Sequence, residues 1–211
     1  PIRYLSREEI EALIAAPHHQ TWVGRRDIAM FSTLYNTGAR VSELISIRLA
    51  DVYFSNKSAS ISLHGKGRKN RAVPLWKSTA KRLKNWMQEI PNYPDTPLFP
   101  DAKGNGLSRS GVEFRLKCAA KKASETCVSI SRQSVSPHLI RHTTAMHMLQ
   151  SGVDIAVIAL WLGHESIQTT HMYMEADLHT KEIAMSKIEP SSGREVRFRP
   201  KDKLLQFLEE L

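Results

Sequence analysis

Between Asp51 and Leu75 the hydrophobic period of this chain changes from that of a helix to that of a strand and back again. Ser58-Ala59-Ser60-Ile61-Ser62-Leu63 alternates, Gly65-Lys66-Gly67 marks a turn, and Arg71-Ala72-Val73-Pro74-Leu75 returns. A period of two puts alternate side chains on one face of a half-buried strand. Asp51 to Phe54 reads as a third strand. On both sides of this segment the pattern is helical. The chain is therefore expected to be mainly α with a small three-stranded antiparallel sheet between helices.

The helices announce themselves by their ends. Ser6-Arg7-Glu8-Glu9 is a capping box, with Leu5 and Ile10 placed as a hydrophobic staple. That helix is expected to run to about Ala16, before Pro17. A second covers about Arg25 to Tyr35, with Gly38 suited to its C-terminal cap. Arg40 opens a third, through Val41, Leu44 and Ile45. Ala80, Leu83, Trp86, Met87 and Ile90 form one stripe after the sheet. Pro91 to Pro100 reads as a loop. Further helices are expected over about Ser110 to Glu125, Pro137 to Gln150 and Ile155 to Leu162, with two short ones around Tyr173. Ser136 as N-cap with Pro137 at the first helical position is a firm start signal.

A chain of 211 residues can bury one good core. Its formal net charge is +9, and the charge is clustered. Lys66, Arg68, Lys69, Arg71, Lys77, Lys81, Arg82 and Lys84 follow one another without an acidic residue; Arg109, Arg115, Lys117, Lys121 and Lys122 form a second run. Clustering of one sign points to a polyanionic partner, most simply nucleic acid. Cys118 and Cys127 form no CxxC pair and are expected as reduced thiols in an intracellular protein. No apolar run approaches the ~20 residues of a membrane span, and no signal peptide is read. The start at Pro1 suggests that something lies upstream. Near the other end, Pro190-Ser191-Ser192-Gly193 reads as a linker, and Leu204, Leu205, Phe207, Leu208 and Leu211 make a short amphipathic helix. That helix either folds back on its own domain or docks on a neighbouring subunit.

The chemistry gathers between Ser136 and Tyr173. Arg40 and Arg141, each near a helix start, suit the non-bridging oxygens of a phosphodiester, because a guanidinium makes paired, charge-assisted bonds. Glu43, one turn from Arg40, is placed to hold it. His138 and His142 stand at i and i+4, a spacing that can hold zinc, but no glutamate follows His138 and Arg141 between them repels a cation; no metal is expected. His164 follows a helix-ending Gly163 and is expected to project from a turn. Tyr173 is the candidate nucleophile, its phenol helped by nearby cations and by a histidine that takes its proton. Tyr35, Tyr53 and Tyr93 are expected to lack such company.

Thr37-Gly38-Ala39-Arg40-Val41-Ser42-Glu43-Leu44, Gly65-Lys66-Gly67, His138-Leu139-Ile140-Arg141-His142, Leu162-Gly163-His164 and Tyr173 occur in that order. Taken together they resemble the catalytic domain of a tyrosine recombinase of the phage integrase and Xer type. The resemblance implies that Tyr173 attacks the scissile phosphate to form a 3′-phosphotyrosyl link. It implies that Arg40 and Arg141 clamp the phosphate, Lys66 is general acid to the leaving 5′ oxygen, His138 assists proton transfer and His164 hydrogen-bonds the phosphate. Glu43 matches the residue that supports the first arginine. Arg68, Lys69, Arg71 and Arg109 are read as further DNA contacts. The same resemblance implies double-stranded DNA as partner, no cofactor or metal, and a tetramer on two DNA sites held by the C-terminal helix. It also implies a catalytic domain over residues 1–190 with a docking segment over 191–211, an upstream DNA-clamping domain, and a cytoplasmic, nucleoid-associated protein. Ile140 and Glu175 depart from the pattern and leave the subfamily open. A mobile-element integrase, an Xer-type chromosome resolvase and a type IB topoisomerase-like nicking and closing enzyme all fit these residues.

Overall fold

The computed structural model describes residues 2–65 and 70–164. Helix α1 (Arg7–Ala15) carries the expected capping box: Ser6 Oγ accepts from the Glu9 amide at 3.1 Å, and the Glu9 carboxylate accepts from the Ser6 amide at 2.8 Å. Leu5 and Ile10, the staple pair, both lie in the main core. Helix α2 (Trp22–Thr37) starts three residues before the expected Arg25, because Thr21 caps it through the Gly24 amide. It is the central helix, packed against α1 and against the later helices over Lys77–Met87 and Pro137–Gln150, and most of its side chains are buried. Gly38 ends it with φ +59°, in the left-handed region. Helix α3 (Val41–Ser46) follows at once with Arg40 at its N-cap.

The change of period is real. Strands β1 (Val52–Phe54), β2 (Ala59–His64) and β3 (Asn70–Pro74) form one antiparallel sheet in the order β1-β2-β3. Ile61 pairs with Val52 on one side and Val73 on the other. Ala59, Ile61, Leu63 and Val73 are buried against the helices, while Ser60 and Ser62 take the opposite face, as alternation requires. A turn of 3-10 helix over Leu49–Asp51 leads into the sheet, and a second over Val128–Arg132 precedes α6; neither has a clear sequence signal.

Helix α4 (Lys77–Met87) packs on α2, with Trp86 almost wholly buried. The Trp86 indole N–H donates to the Leu98 carbonyl at 2.7 Å and ties down the proline-rich loop. Helix α5 (Arg109–Ala123) packs on α1. It is braced to α2 by a buried cluster. Asp27 accepts from Arg26 on one oxygen and from Arg115 on the other, and Arg26 also reaches the Pro100 carbonyl. Arg115, expected within a DNA-facing basic run, is thus engaged inside the protein.

Helices α6 (Pro137–Gln150) and α7 (Ile155–Leu162) have the expected bounds. Ser136 caps the first and Asp154 the second. Ala145, Met146, Leu149, Ile158 and Leu162 form a small second core between them. The Thr144 hydroxyl donates to the Tyr35 carbonyl at 2.7 Å and fastens α6 to α2. Among the described residues no helix is long and apolar enough to cross a membrane. Lys66, Arg68, Lys69, Tyr173 with its short helices, the domain boundary at 190 and the segment from Pro190 to Leu211 lie outside the described residues.

Candidate active site

Four helix ends meet at one place: the C-termini of α2 and α7 and the N-termini of α3 and α6. Gly38 and Gly163 make this possible. Gly163 caps α7 at φ +65°, as Gly38 caps α2, and both conformations disfavour a side chain. Space forbids one as well. A Cβ at position 38 would stand 2.4 Å from Leu162 Cδ2, so the ends of α2 and α7 touch.

Each glycine carbonyl receives an arginine. Arg141, buried in the second turn of α6, donates from Nη1 to the Gly38 carbonyl at 2.7 Å. Arg40 reaches toward the Gly163 carbonyl from Nη2 at 3.4 Å. Its side chain is 45% exposed, so it keeps a solvent-facing edge for an anion. Glu43, 2% exposed, sets its angle: one carboxylate oxygen accepts from the Arg40 amide at 2.7 Å and the other from Arg40 Nη1 at 3.1 Å.

Glu43 holds a second guanidinium. Arg71 Nη1 and Nη2 donate to its two oxygens at 2.8 and 2.9 Å, and Arg71 Nε donates to the Trp161 carbonyl at 2.9 Å. Burial alone would raise the Glu43 carboxyl; the Arg71 hydrogen bonds, the Arg40 amide and both guanidinium charges outweigh it and hold it below the usual carboxylate range. Arg71 was expected among the DNA contacts. With its side chain only 13% exposed and facing a buried carboxylate, it belongs to the interior of the site. No local signal gives this away, since its partner stands 28 positions earlier.

His164 follows Gly163 as expected and is half-buried. Burial first, then the charges of Arg141, Arg40 and Arg71 and of His142, push it down to about 4. At neutral pH it is an uncharged imidazole among cations, fit to donate a hydrogen bond without adding charge. His138 is exposed on the first turn of α6. Its Nε2 lies 2.8 Å from His142 Nε2, with ring centroids 4.1 Å apart. Such a contact needs one donor and one acceptor, so the pair shares a single proton between facing nitrogens. Burial, then His138 and Arg141, push His142 down to about 4, so it is uncharged at neutral pH. His142 is more than a sequence neighbour: it is the partner that orients His138. No three of His, Cys, Asp and Glu come together as metal ligands among the described residues.

Arg40, Glu43, His138, Arg141 and His164 are therefore brought to one place. Arg109 is exposed at the start of α5. Three supports were not foreseen. Asn36 bridges three elements: its side chain donates to the Pro74 carbonyl and accepts from the Trp76 amide, while its carbonyl accepts from the Trp161 indole. Tyr35, expected to lack company, shares a hydrogen bond of 2.7 Å between its hydroxyl and His147 Nδ1. Burial raises that phenol rather than activating it. His64, at the end of β2, lies between Asp51 and Asn70.

Comparison with known proteins converges on one group. The model of the phage integrase family matches residues 3–179. A candidate integrase/recombinase of Sinorhizobium fredii, y4rC, is 46% identical over 210 residues, covering 100% of this chain and 63% of that protein. Tyrosine recombinase XerD of Pseudomonas aeruginosa is 34% identical over 188 residues, covering 84% of this chain and 60% of that protein. Among solved structures, the XerH site-specific recombinase bound to palindromic difH substrate, in a post-cleavage complex, superposes with a TM-score of 0.73 at 26% identity. That match covers 90% of this chain and 54% of the other. The chain thus spans less than two thirds of the length of these relatives.

Proposed function

Because the chain belongs to the phage integrase family, whose members include tyrosine recombinases, we propose that it is the strand-cleaving part of a site-specific DNA recombinase. One observation carries the reading: Arg40 and Arg141 are braced at adjacent helix ends around a neutral His164. Two guanidiniums and one uncharged N–H donor match the needs of a pentacoordinate phosphorane, whose non-bridging oxygens gain charge as it forms. The helix N-termini that carry both arginines add the favourable end of the backbone dipole.

In this reading Tyr173 Oη attacks phosphorus, the bond from phosphorus to the 5′ oxygen breaks, and the 3′ phosphate becomes linked to the tyrosine. The phenol proton passes to the His138–His142 pair, and the departing 5′ oxygen takes a proton from Lys66. Attack by a 5′-hydroxyl on the same phosphorus reverses each step and releases Tyr173. The covalent link conserves the energy of the phosphodiester, so rejoining needs no nucleotide. Tyr173 and Lys66 take these roles from their motif positions. Arg68, Lys69 and Arg109 are proposed contacts to the DNA backbone, and base contacts are not assigned. The C-terminal helix over Leu204 to Leu211 is proposed to dock on a neighbouring subunit in a tetramer on two DNA sites. Origin in a mobile element and association with the nucleoid belong to this reading, with Xer-type chromosome resolution as the alternative role.

The test is a covalent adduct. With EDTA present, the protein is incubated with a nicked duplex bearing a candidate site and separated under denaturing conditions. An adduct is expected with the wild type and not with Tyr173→Phe. An adduct that survives that substitution would sink the nucleophile assignment. Strand exchange between two sites is the expected outcome; relaxation of any supercoiled plasmid without exchange would favour a topoisomerase-like enzyme.

A further inference from the structure

We propose that Arg71 is a positioning residue for strand cleavage, a single guanidinium that sets both the clamp arginine and the residue presenting His164. The proposal rests on the recombinase reading above and adds to it a role that none of the motif residues fills.

A guanidinium has two edges able to grip an oxyanion in a paired manner: the outer one, from Nη1 and Nη2, and the side one, which includes Nε. The outer edge of Arg71 is closed by both oxygens of Glu43, and Nε is taken by the Trp161 carbonyl. Neither edge is left whole to chelate a DNA phosphate. What the side chain does is join three parts of the fold. It starts from β3, five positions after Lys66 in sequence. It fixes Glu43 on α3, and through Glu43 the angle of Arg40. It fixes the last turn of α7, which presents His164.

The fit at Gly163 is an independent sign that this placement is built in. A Cβ there would stand 2.8 Å from Arg71 Nη1 and 3.1 Å from Cδ and Cζ. The guanidinium thus lies against the bare Cα of the residue before His164. Lysine cannot replace it: one compact ammonium has no planar fork to span a carboxylate and a carbonyl together.

The experiment compares wild type, Arg71→Ala, Arg71→Lys and Gly163→Ala in single-turnover adduct formation at saturating nicked DNA, with DNA affinity measured across a salt series. Misplacement of catalytic groups by about 1 Å costs on the order of 10²-fold in rate, and a loss of that size is expected in Arg71→Ala. Arg71→Lys is expected to recover only part of it. Gly163→Ala keeps every donor but pushes on the guanidinium, and is expected to lose rate in the same way. DNA affinity and its salt slope are expected to stay unchanged throughout. Millimolar guanidinium chloride is expected to restore part of the rate in Arg71→Ala and none in Arg71→Lys. If Arg71→Ala does not fold, the lysine variant carries the comparison. Wild-type rates in the Arg71 variants would overturn the proposal. So would a loss that appears only as weaker binding with a salt slope lower by about one, the mark of a phosphate contact. Absence of any adduct with the wild type overturns the recombinase reading and this role with it.

Discussion

Arg71 and Glu43 face each other through two parallel hydrogen bonds of 2.8 and 2.9 Å, one to each carboxylate oxygen. Glu43 is buried, so the pair depends on its partners for the solvation it has lost. Glu43→Gln would leave two guanidiniums sharing a neutral amide. Breaking a buried pair by removing one partner costs about 3 kcal/mol or more, and a loss of that order is expected in urea unfolding. The Glu43 carboxyl is held low, so its contribution is complete above its unfolded value, 4.5, and is lost as pH falls through the lower folded value. The variant and the wild type should therefore converge in stability only in strong acid.

Arg141→Ala removes a buried guanidinium from the Gly38 carbonyl and, in the proposed mechanism, from the scissile phosphate. Cleavage is expected to fall by on the order of 3 kcal/mol of transition-state stabilisation. Single-turnover adduct formation measures it, and a rate equal to the wild type would place the phosphate elsewhere.

Three histidines predict acid sensitivity. Burial leads the shift of His142, His147 and His164, and each is pushed down to about 4. The unfolded chain takes up these protons near 6.5, before the folded chain does. The contribution of these three groups to stability is therefore expected to be flat above that pH and to decline from there toward pH 4. Urea midpoints across this range measure the slope. His147→Gln is expected to make it shallower; an unchanged slope would count against the burial of that imidazole.

His64 has the opposite sign. Its Nε2 meets Asp51 Oδ1 at 2.7 Å and its Nδ1 meets Asn70 Oδ1 at 3.0 Å. Both partners accept, so both ring nitrogens must donate and the imidazolium is favoured. The hydrogen bond to Asp51, then that to Asn70, raises it above 6.5. Its contribution is present in full below that unfolded value and fades as pH rises through the folded one. Melting temperatures of wild type and His64→Gln are expected to differ in mild acid and to merge in mild alkali. A difference independent of pH would show that the clamp carries no charge.

Gly38→Ala forces a side chain into the left-handed region, at about 1–2 kcal/mol, and drives its Cβ into Leu162. Both a lower melting temperature and slower cleavage are expected, because the ends of α2 and α7 must part. A loss of stability with cleavage intact would show that this contact does not set the arginines.

Much of this was legible in the sequence because local rules act locally. Ser6 with Glu9, Ser136 with Pro137 and the alternation around Ile61 each fix an element from a few adjacent residues. Arg40, Arg141 and His164 could be found because motif positions mark them. What stayed hidden was the destination of side chains that cross the fold. Arg71 and Arg115 look like solvated charges in a basic run until Glu43 and Asp27 arrive from other helices. Tyr35 meets His147 only because α2 packs on α6. The start of α2 at Trp22 has little local signal, because Gly24 is a weak helix former and the Thr21 cap rests on one hydroxyl.

The arginines of the site rest on the carbonyls of Gly38 and Gly163, and a carbonyl belongs to the backbone. No side-chain replacement at those positions can delete the acceptor; it can only displace it. The contacts to DNA, by contrast, would come from ordinary side chains on the outer surface. The two layers can therefore change at different tempos. In the proposed recombinase, surface substitution can change the contacts to DNA while the backbone acceptors that aim the guanidiniums stay in place.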